Sequence, residues 1–333
     1  MNRYLVTGCA GFIASKVTEL LLEVGHEVAG VDNLNDAYDS RLKQWRLKQL
    51  EGHPNFQFSN VDIVDRSAIE RRFTDDSRAD GGSPYDAVFN LAARAGVRPS
   101  VENPWVYLDT NGEGTLNLLD LCRQHGVEKF LLASTSSLYG AHNPIPFSET
   151  ADTSRPLSPY AASKKAAEAM AYTYHHLHGL DVTVFRYFTV YGPAGRPDMS
   201  VFRFIRWISE GEPITVFGDG SQQRDFTYVD DIARGTIAGL KPLGYEVINL
   251  GGDRPVPLSH IIEQIGQLTG RDPVIEYRDA HPADVPATWA NVAKAQELLG
   301  WKSEVGVEEG LERCVQWYNE NRGLAKGLDL GMR

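Results

Sequence analysis

The stretch Tyr4-Leu5-Val6-Thr7-Gly8-Cys9-Ala10-Gly11-Phe12-Ile13-Ala14 decides the fold. A short apolar run, Tyr4–Thr7, leads straight into two glycines, and a helical pattern over Ser15–Val24 follows. Glycines let the backbone turn sharply and approach a pyrophosphate, whose charge rests on the helix N-terminus. Two glycines at this spacing also mark ordinary turns, so their place in the chain matters. They lie in the first strand–helix unit, and Asp32 ends the next strand, 24 residues after Gly8. A carboxylate there accepts hydrogen bonds from an adenosine ribose and repels a 2′-phosphate. Asn33 follows it rather than an arginine, which favours NAD over NADP.

Working outward, short apolar runs alternate with amphipathic segments. The expected strands are Tyr4–Thr7, Glu27–Asp32, Phe56–Asn60, Ala87–Leu91, Lys129–Ser134, Val182–Tyr187 and Val247–Leu250. Between them lie helical patterns such as Glu113–His125 and Tyr160–His178. Such alternation predicts an α/β fold with a doubly wound parallel sheet, Rossmann-like, covered on both faces. From Thr189 the order gives way to the Gly/Pro-rich VYGPAGRPDM, a helix over Val201–Glu210 and then VFGDGSQQRDF, as in a ligand-facing insertion. The expected division is residues 1–187 with about 226–250 in the cofactor domain, and about 188–225 with 251–322 in a smaller mixed α/β substrate domain. Helices are expected there over Leu258–Thr269 and Val307–Asn321, a solvated polar loop over 77–84, and a frayed tail over 323–333.

Composition narrows the function. With 42% hydrophobic residues in 333, the chain can bury a substantial core. A formal net charge of −11 argues against a nucleic-acid binder, so any anionic ligand must meet a few locally placed arginines. Cys9, Cys122 and Cys314 are odd in number and far apart, which suits free thiols in a reducing cytoplasm. No secretory signal and no membrane-spanning apolar run is visible. A cytoplasmic protein with no membrane or nucleic-acid partner is expected.

A second constellation carries chemistry. Ser158-Pro159-Tyr160-Ala161-Ala162-Ser163-Lys164 reads as a helix start, with Ser158 as N-cap and Pro159 at the first helical position. Tyr160 and Lys164 then share one helix face. An ammonium beside a phenol lowers the phenol's pKa, giving a base for a sugar hydroxyl. Chance alone gives about 0.4 such Tyr-x-x-x-Lys spacings in a chain of this make-up. This one is single, and it follows a strand that ends in Ala133-Ser134-Thr135-Ser136-Ser137-Leu138-Tyr139-Gly140. Hydroxyls at the carboxyl end of a parallel strand stand where ligands bind in such sheets.

Together these features resemble the extended short-chain dehydrogenase/reductase family, and more narrowly its NAD-dependent nucleotide-sugar epimerases. The likeness runs through VDNLNDAYD, NLAARAGVRPS, RYFTVYGPAGRPDM, RDFTYVDDI and PADVPATWA, and it is greatest to UDP-glucuronate 4-epimerases over Phe188–Met199. By position, the resemblance implies NAD contacts at Gly8, Gly11, Phe12, Ile13, Asp32, Asn33, Asp62, Ile63, Ala92, Ala93, Asn111, Tyr160 and Lys164. It implies a catalytic set of Tyr160, Lys164 and Thr135, the last sharing the sugar 4-hydroxyl with the phenol. Thr135, Ser136, Ser137, Thr189, Arg196, Val216, Phe217, Arg224, His281 and Asp284 stand at sugar-, uracil- and diphosphate-binding positions. Arg224 suits a charge-assisted clamp on a diphosphate, and Phe217 suits packing on a base. Three positions depart from the pattern: Ala14 in place of glycine, Arg94 in place of lysine or glutamine, and His281 in place of arginine or glutamine.

The resulting expectation is reversible 4-epimerisation of a UDP-sugar, foremost UDP-glucuronate to UDP-galacturonate, through a 4-keto intermediate with bound NAD, in a homodimer. UDP-glucose 4-epimerase and UDP-glucuronate decarboxylase stay open on the same scaffold, and a silent NAD-sensing protein stands as a different class. A 4,6-dehydratase needs an acid pair where this chain has Ser136-Ser137. His175, His176 and His178 read as a solvated helix end rather than a metal site, Asp230-Asp231 as a cap, and the serine row lacks partners for a hydrolase triad.

Overall fold

The structure, a computed structural model, describes residues 1–78, 81–279 and 285–331. The strands are β1 (Arg3–Thr7), β2 (Glu27–Asp32), β3 (Phe56–Asn60), β4 (Ala87–Asn90), β5 (Lys129–Thr135), β6 (Asp181–Tyr187), β7 (Thr189–Tyr191), β8 (Ile214–Phe217), β9 (Gln223–Tyr228), β10 (Tyr245–Leu250), β11 (Pro255–Pro257) and β12 (Ile275–Arg278). The first helices are α1 (Phe12–Glu23), α2 (Ser40–Leu50), α3 (Arg66–Asp75), α4 (Val97–Glu102), α5 (Trp105–Tyr107) and α6 (Gly114–His125). They are followed by α7 (Pro159–His178), α8 (Ser200–Glu210), α9 (Val229–Ala238), α10 (Leu258–Thr269), α11 (Ala293–Leu299), α12 (Val307–Glu320) and α13 (Arg322–Ala325). One wide helical turn, Leu108–Glu113, joins α5 to α6.

Seven strands form one parallel sheet in the order β10-β6-β5-β4-β1-β2-β3. The order reverses between β1 and β4, and there the carboxyl ends of the strands open a crevice. Thr7 organises that crevice. Its Oγ1 donates to Asn90 Oδ1 at 3.0 Å and accepts from the N–H groups of Leu91 and Ala92 at 3.2 and 3.1 Å. The central strands are apolar on both faces because helices cover both: all seven residues of β5 are buried. Two core clusters line the two faces, one built on Val6, Leu21, Phe89 and Phe185, the other on Leu5, Val31, Phe130 and Val184.

A third core belongs to the substrate side. Apolar residues at i, i+3 and i+4 of α8 (Val201, Phe204, Ile205, Ile208) pack with Ile261, Ile265, Leu311 and Trp317. A small sheet, β11-β9-β7, and a pair, β12-β8, complete this lobe. The return to the large sheet near residue 226 is narrower than expected: β9 stays in the small sheet, and β10 alone rejoins the large one. Through residue 331 the tail is packed rather than frayed. Ala325, Leu328 and Leu330 are buried in the third core, Arg203 and Arg206 donate to the carbonyls of Leu330 and Leu328, and Asp329 N–H donates to Asp39. Two leucines in a polar stretch suffice because a basic face of α8 receives their carbonyls. Of the polar loop 77–84, residues 79 and 80 lie outside the described residues. Among the described residues, no helix is long and apolar enough to cross a membrane.

Candidate active site

The glycine loop has the geometry of a close backbone approach. Gly8 has φ +70°, and a Cβ there would lie 2.8 Å from Ala92 Cα, so only glycine lets the loop meet the end of β4. Gly11 caps α1 without a side-chain hydrogen bond, and no acidic residue occupies the first turn. The positive end of α1 is therefore left open to an anion. One cleft brings together Gly8, Gly11, Asp32, Asn33, Asp62, Ile63, Ala92 and Ala93 from the expected cofactor set. A Cβ-free approach, an uncapped helix end and a ribose-ready carboxylate fit a dinucleotide.

Asp32 has a further duty. It accepts from Ala10 N–H at 3.2 Å and Leu34 N–H at 2.8 Å, so it also shapes the glycine loop. Asn33 donates to Asp62 at 2.6 Å, joining the ends of β2 and β3. Phe12 and Ile13 do not line this cleft. The Phe12 ring packs toward Gly192 and Gly195 under the Arg46 guanidinium, and Ile13 packs on the first core. Only their main-chain N–H groups can serve a pyrophosphate. Asn111 is fully buried, and its amide is spent on Arg94 N–H, Arg94 carbonyl and Ser163 Oγ at 3.0, 3.0 and 2.9 Å. It positions the Ala93–Arg94 wall. Arg94 itself reaches toward Asp36 at 3.9 Å.

Sequence reading missed α2 and its two buried cations. Lys43 stands 3.6 Å from Asp32 and donates to Asn35 at 3.0 Å; burial pushes its ammonium down. Arg46 binds Ala194 carbonyl at 2.6 Å, Ala10 carbonyl at 3.1 Å and the Tyr38 hydroxyl at 2.7 Å. It thus ties the glycine loop to the Gly192–Gly195 turn. Both cations lie on the face of α2 that also buries Leu42, Leu47 and Leu50, where apolar periodicity alone does not find them.

The start of α7 matches the reading in detail. Ser158 accepts from Ala161 N–H, Pro159 opens the helix, and Gly179 closes it in a left-handed conformation just after the three histidines. Tyr160 meets the Thr135 hydroxyl at the end of β5. Burial pushes the Tyr160 phenol up, while the Thr135 hydrogen bond and the Arg196 charge pull it back. Arg196 is thus a second positive charge acting on the phenol, one that the Tyr160–Lys164 spacing did not suggest. Lys164 Nζ donates to Ala133 carbonyl at 2.8 Å, and burial pushes the ammonium down to about 8. That carbonyl takes one of the ammonium's three donors.

Ser136 and Ser137 form a single 3₁₀ turn beyond Thr135, whose Oγ1 accepts from Ser137 N–H at 3.1 Å. Thr189 and Arg196 line one small cavity, and Arg196 also borders the cofactor cleft, so the two spaces meet at this arginine. Its guanidinium forks onto Asp198 at 3.0 and 2.6 Å and reaches Ala95 carbonyl at 3.2 Å. Phe217 is partly exposed with the Arg98 guanidinium 4.2 Å over its ring, whereas the Val216 side chain is buried in the third core and leaves only main chain for a ligand. Arg224 stands on β9 and donates to Gln223 carbonyl at 2.8 Å. His281 and Asp284 lie outside the described residues. Asp231, read as a cap, reaches instead to Ser303, Glu304 N–H and Val305 N–H at 2.9, 2.9 and 3.0 Å.

Comparison with known proteins agrees with this fold. The chain is 57% identical to a UDP-glucuronate 4-epimerase of Thermodesulfobacterium geofontis (strain OPF15) over 98% of this chain and 99% of that one. Its fold superposes with a TM-score of 0.88 on a UDP-glucuronic acid 4-epimerase of Bacillus cereus solved with UDP-glucuronic acid and NAD, at 35% identity over 96% and 99% of the two chains. A UDP-glucose 4-epimerase of Thermotoga maritima solved with UDP-glucose matches with a TM-score of 0.87 at 33% identity over the same shares. The NAD dependent epimerase/dehydratase family matches residues 4–251, and the chain belongs to that family.

Proposed function

We propose that this enzyme interconverts UDP-glucuronate and UDP-galacturonate by inversion at carbon 4, with NAD held between the glycine loop and Asp32. The observation that carries this reading is the meeting of Tyr160 with Thr135 at the carboxyl end of β5, within the field of Arg196, which borders the cleft. The names of the Thermodesulfobacterium and Bacillus relatives support the choice of sugar acid.

Tyr160 takes the proton of the 4-hydroxyl and later returns it, with Thr135 sharing the hydrogen bond. Arg196 supplies the nearby positive charge that favours the phenolate. NAD would supply the hydride acceptor for carbon 4 and the hydride for its return, with no net consumption. Asp32 and Asn33 would hold the adenosine side, and the main-chain N–H groups opening α1 the pyrophosphate. Arg224 would clamp the UDP diphosphate, and Phe217 would pack on uracil.

A 4-keto uronate is a β-keto acid and loses carbon dioxide when its carboxylate bond aligns with the carbonyl π system. Thr135, Ser136, Ser137 and Thr189 offer short hydroxyl donors that hold the carboxylate out of that alignment. Arg196 adds charge at the junction of the two spaces, with Asp198 already setting its direction. Incubation with UDP-glucuronate and UDP-glucose in turn, followed by NMR, tests the reading. UDP-galacturonate is the expected product. Tyr160→Phe should lose roughly 10²–10⁴-fold in kcat while keeping NAD. Release of mainly 4-keto-pentose would make the protein a decarboxylase, and turnover of UDP-glucose alone would refute the carboxylate argument.

A homodimer is part of the same proposal. Trp105, Leu108 and Leu116 are 71%, 50% and 38% exposed and lie on one face of the continuous α5–α6 run. An apolar stripe of this kind suits a self-complementary helix face. Buried, unpaired Cys9, Cys122 and Cys314 support a cytoplasmic setting.

A further inference from the structure

Glu168 has no part in the reaction above, yet it is withdrawn from water beside it, 3% exposed. It lies one helical turn beyond Lys164 and two beyond Tyr160, on the same face of α7. Three successive residues of β5 hold these three side chains. Ala133 carbonyl accepts from Lys164 at 2.8 Å, Ser134 Oγ donates to Glu168 at 2.6 Å, and the Thr135 hydroxyl acts on the Tyr160 phenol. Across the sheet, Arg186 of β6 is the register partner of Ser134. Its Nε and Nη2 grip the same carboxylate at 3.0 and 2.8 Å, and its Nη1 goes to the Tyr139 hydroxyl and Glu149 carbonyl, both at 3.2 Å.

A buried ion pair is a weak source of stability, because an apolar pair of like volume often does as well. What it supplies instead is direction. A planar fork and one hydroxyl, both rooted in neighbouring strands, accept a single angular setting of the Glu168 side chain. That setting fixes both the rotation of α7 and its height above β5.

We propose that Glu168 is a positioning residue for the epimerisation: clamped by Ser134 and Arg186, it seats α7 so that Tyr160 reaches Thr135, and it keeps a negative charge beside Lys164. This rests on Tyr160 and Lys164 being the catalytic pair. Burial pushes the Lys164 ammonium down, and Glu168 is the charge that draws it back up. Other titratable or charged groups around them are Arg186 on β6, Tyr139 after β5, Tyr245 on β10, Tyr107 edge-on to Tyr160, and Arg196 after β7.

The test measures kcat, KM and the pH dependence of kcat with UDP-glucuronate for the wild type, Ser134→Ala, Glu168→Gln, Glu168→Asp and the pair Glu168→Met/Arg186→Met. Ser134→Ala leaves Arg186 paired, so the fold is kept; it should lose roughly tenfold in kcat at unchanged KM and NAD content. Glu168→Gln and the methionine pair should lose about 100-fold, with the alkaline limb of kcat moved down by about one pH unit. Glu168→Asp keeps the charge and should restore the limb though not the full kcat. A merely structural role would lower the melting temperature without moving the limb. A folded methionine pair, or Ser134→Ala if that pair fails to fold, with wild-type kcat and pH profile overturns the inference. An inactive wild type instead overturns the functional reading beneath it.

Discussion

Gly8→Ala separates what the glycine loop does for the fold from what it does for the cofactor. An alanine at φ +70° costs about 1–2 kcal/mol in backbone strain. Its Cβ would also meet Ala92 Cα at 2.8 Å and Ala92 N at 2.9 Å, both main chain, so no side-chain rotation can relieve it. Overpacking of that kind costs a further ~1–3 kcal/mol. Gly25 is the control: its φ is +85°, and nothing lies within 4 Å of an added Cβ. Gly25→Ala thus carries the backbone strain alone. In Gly8→Ala the Ala92 wall has to move, and that wall lines the cofactor cleft. The difference between the two variants should appear as a roughly 5- to 150-fold weaker NAD dissociation constant for Gly8→Ala. Titration calorimetry on apoprotein measures it, with thermal melts reporting the strain the two share. Equal NAD affinity in the two variants would refute the claim that the close approach to Ala92 shapes the cofactor site.

Two further outcomes are expected. Asp231→Ala leaves Arg234, Ser303 and the N–H groups of Glu304 and Val305 without their common acceptor, and it should cost about 3–5 kcal/mol in urea unfolding with kcat per folded molecule unchanged. Glu210 answers to acid: the Arg322 hydrogen bond, helped by Lys326 and Tyr318, holds its carboxyl down at about 2. Since the folded value lies below the unfolded one, its contribution is full above about pH 4.3 and is lost as pH falls toward 2. Protease sensitivity of the C-terminal segment should therefore rise across that window in the wild type, and be indifferent to it in Glu210→Gln.

The parts legible in the sequence were those written locally. A strand, two glycines and Asp32 lie within one β-α-β unit, and the Ser158-Pro159 helix start needs only its own residues to form. Readings that failed depended on distant partners. Apolar periodicity passes over α2 because two of its inward positions are Lys43 and Arg46, made tolerable by Asp32, Asn35, Ala10 and Ala194 from elsewhere in the chain. The tail looked frayed because its carbonyl acceptors are invisible until Arg203 and Arg206 of α8 stand opposite them. The Tyr160–Lys164 spacing puts both on one face, but it does not say that Ala133 carbonyl takes a hydrogen bond from the ammonium.

Arg46 gives the site a property that neither ligand's contacts express. One rigid guanidinium carries both the Ala10 carbonyl of the glycine loop and the Ala194 carbonyl two residues before Arg196. A movement of either loop therefore bears on the same guanidinium, so the two loops share one anchor. Whatever factor bound NAD contributes to the affinity for the sugar nucleotide, the sugar nucleotide returns to NAD in equal measure.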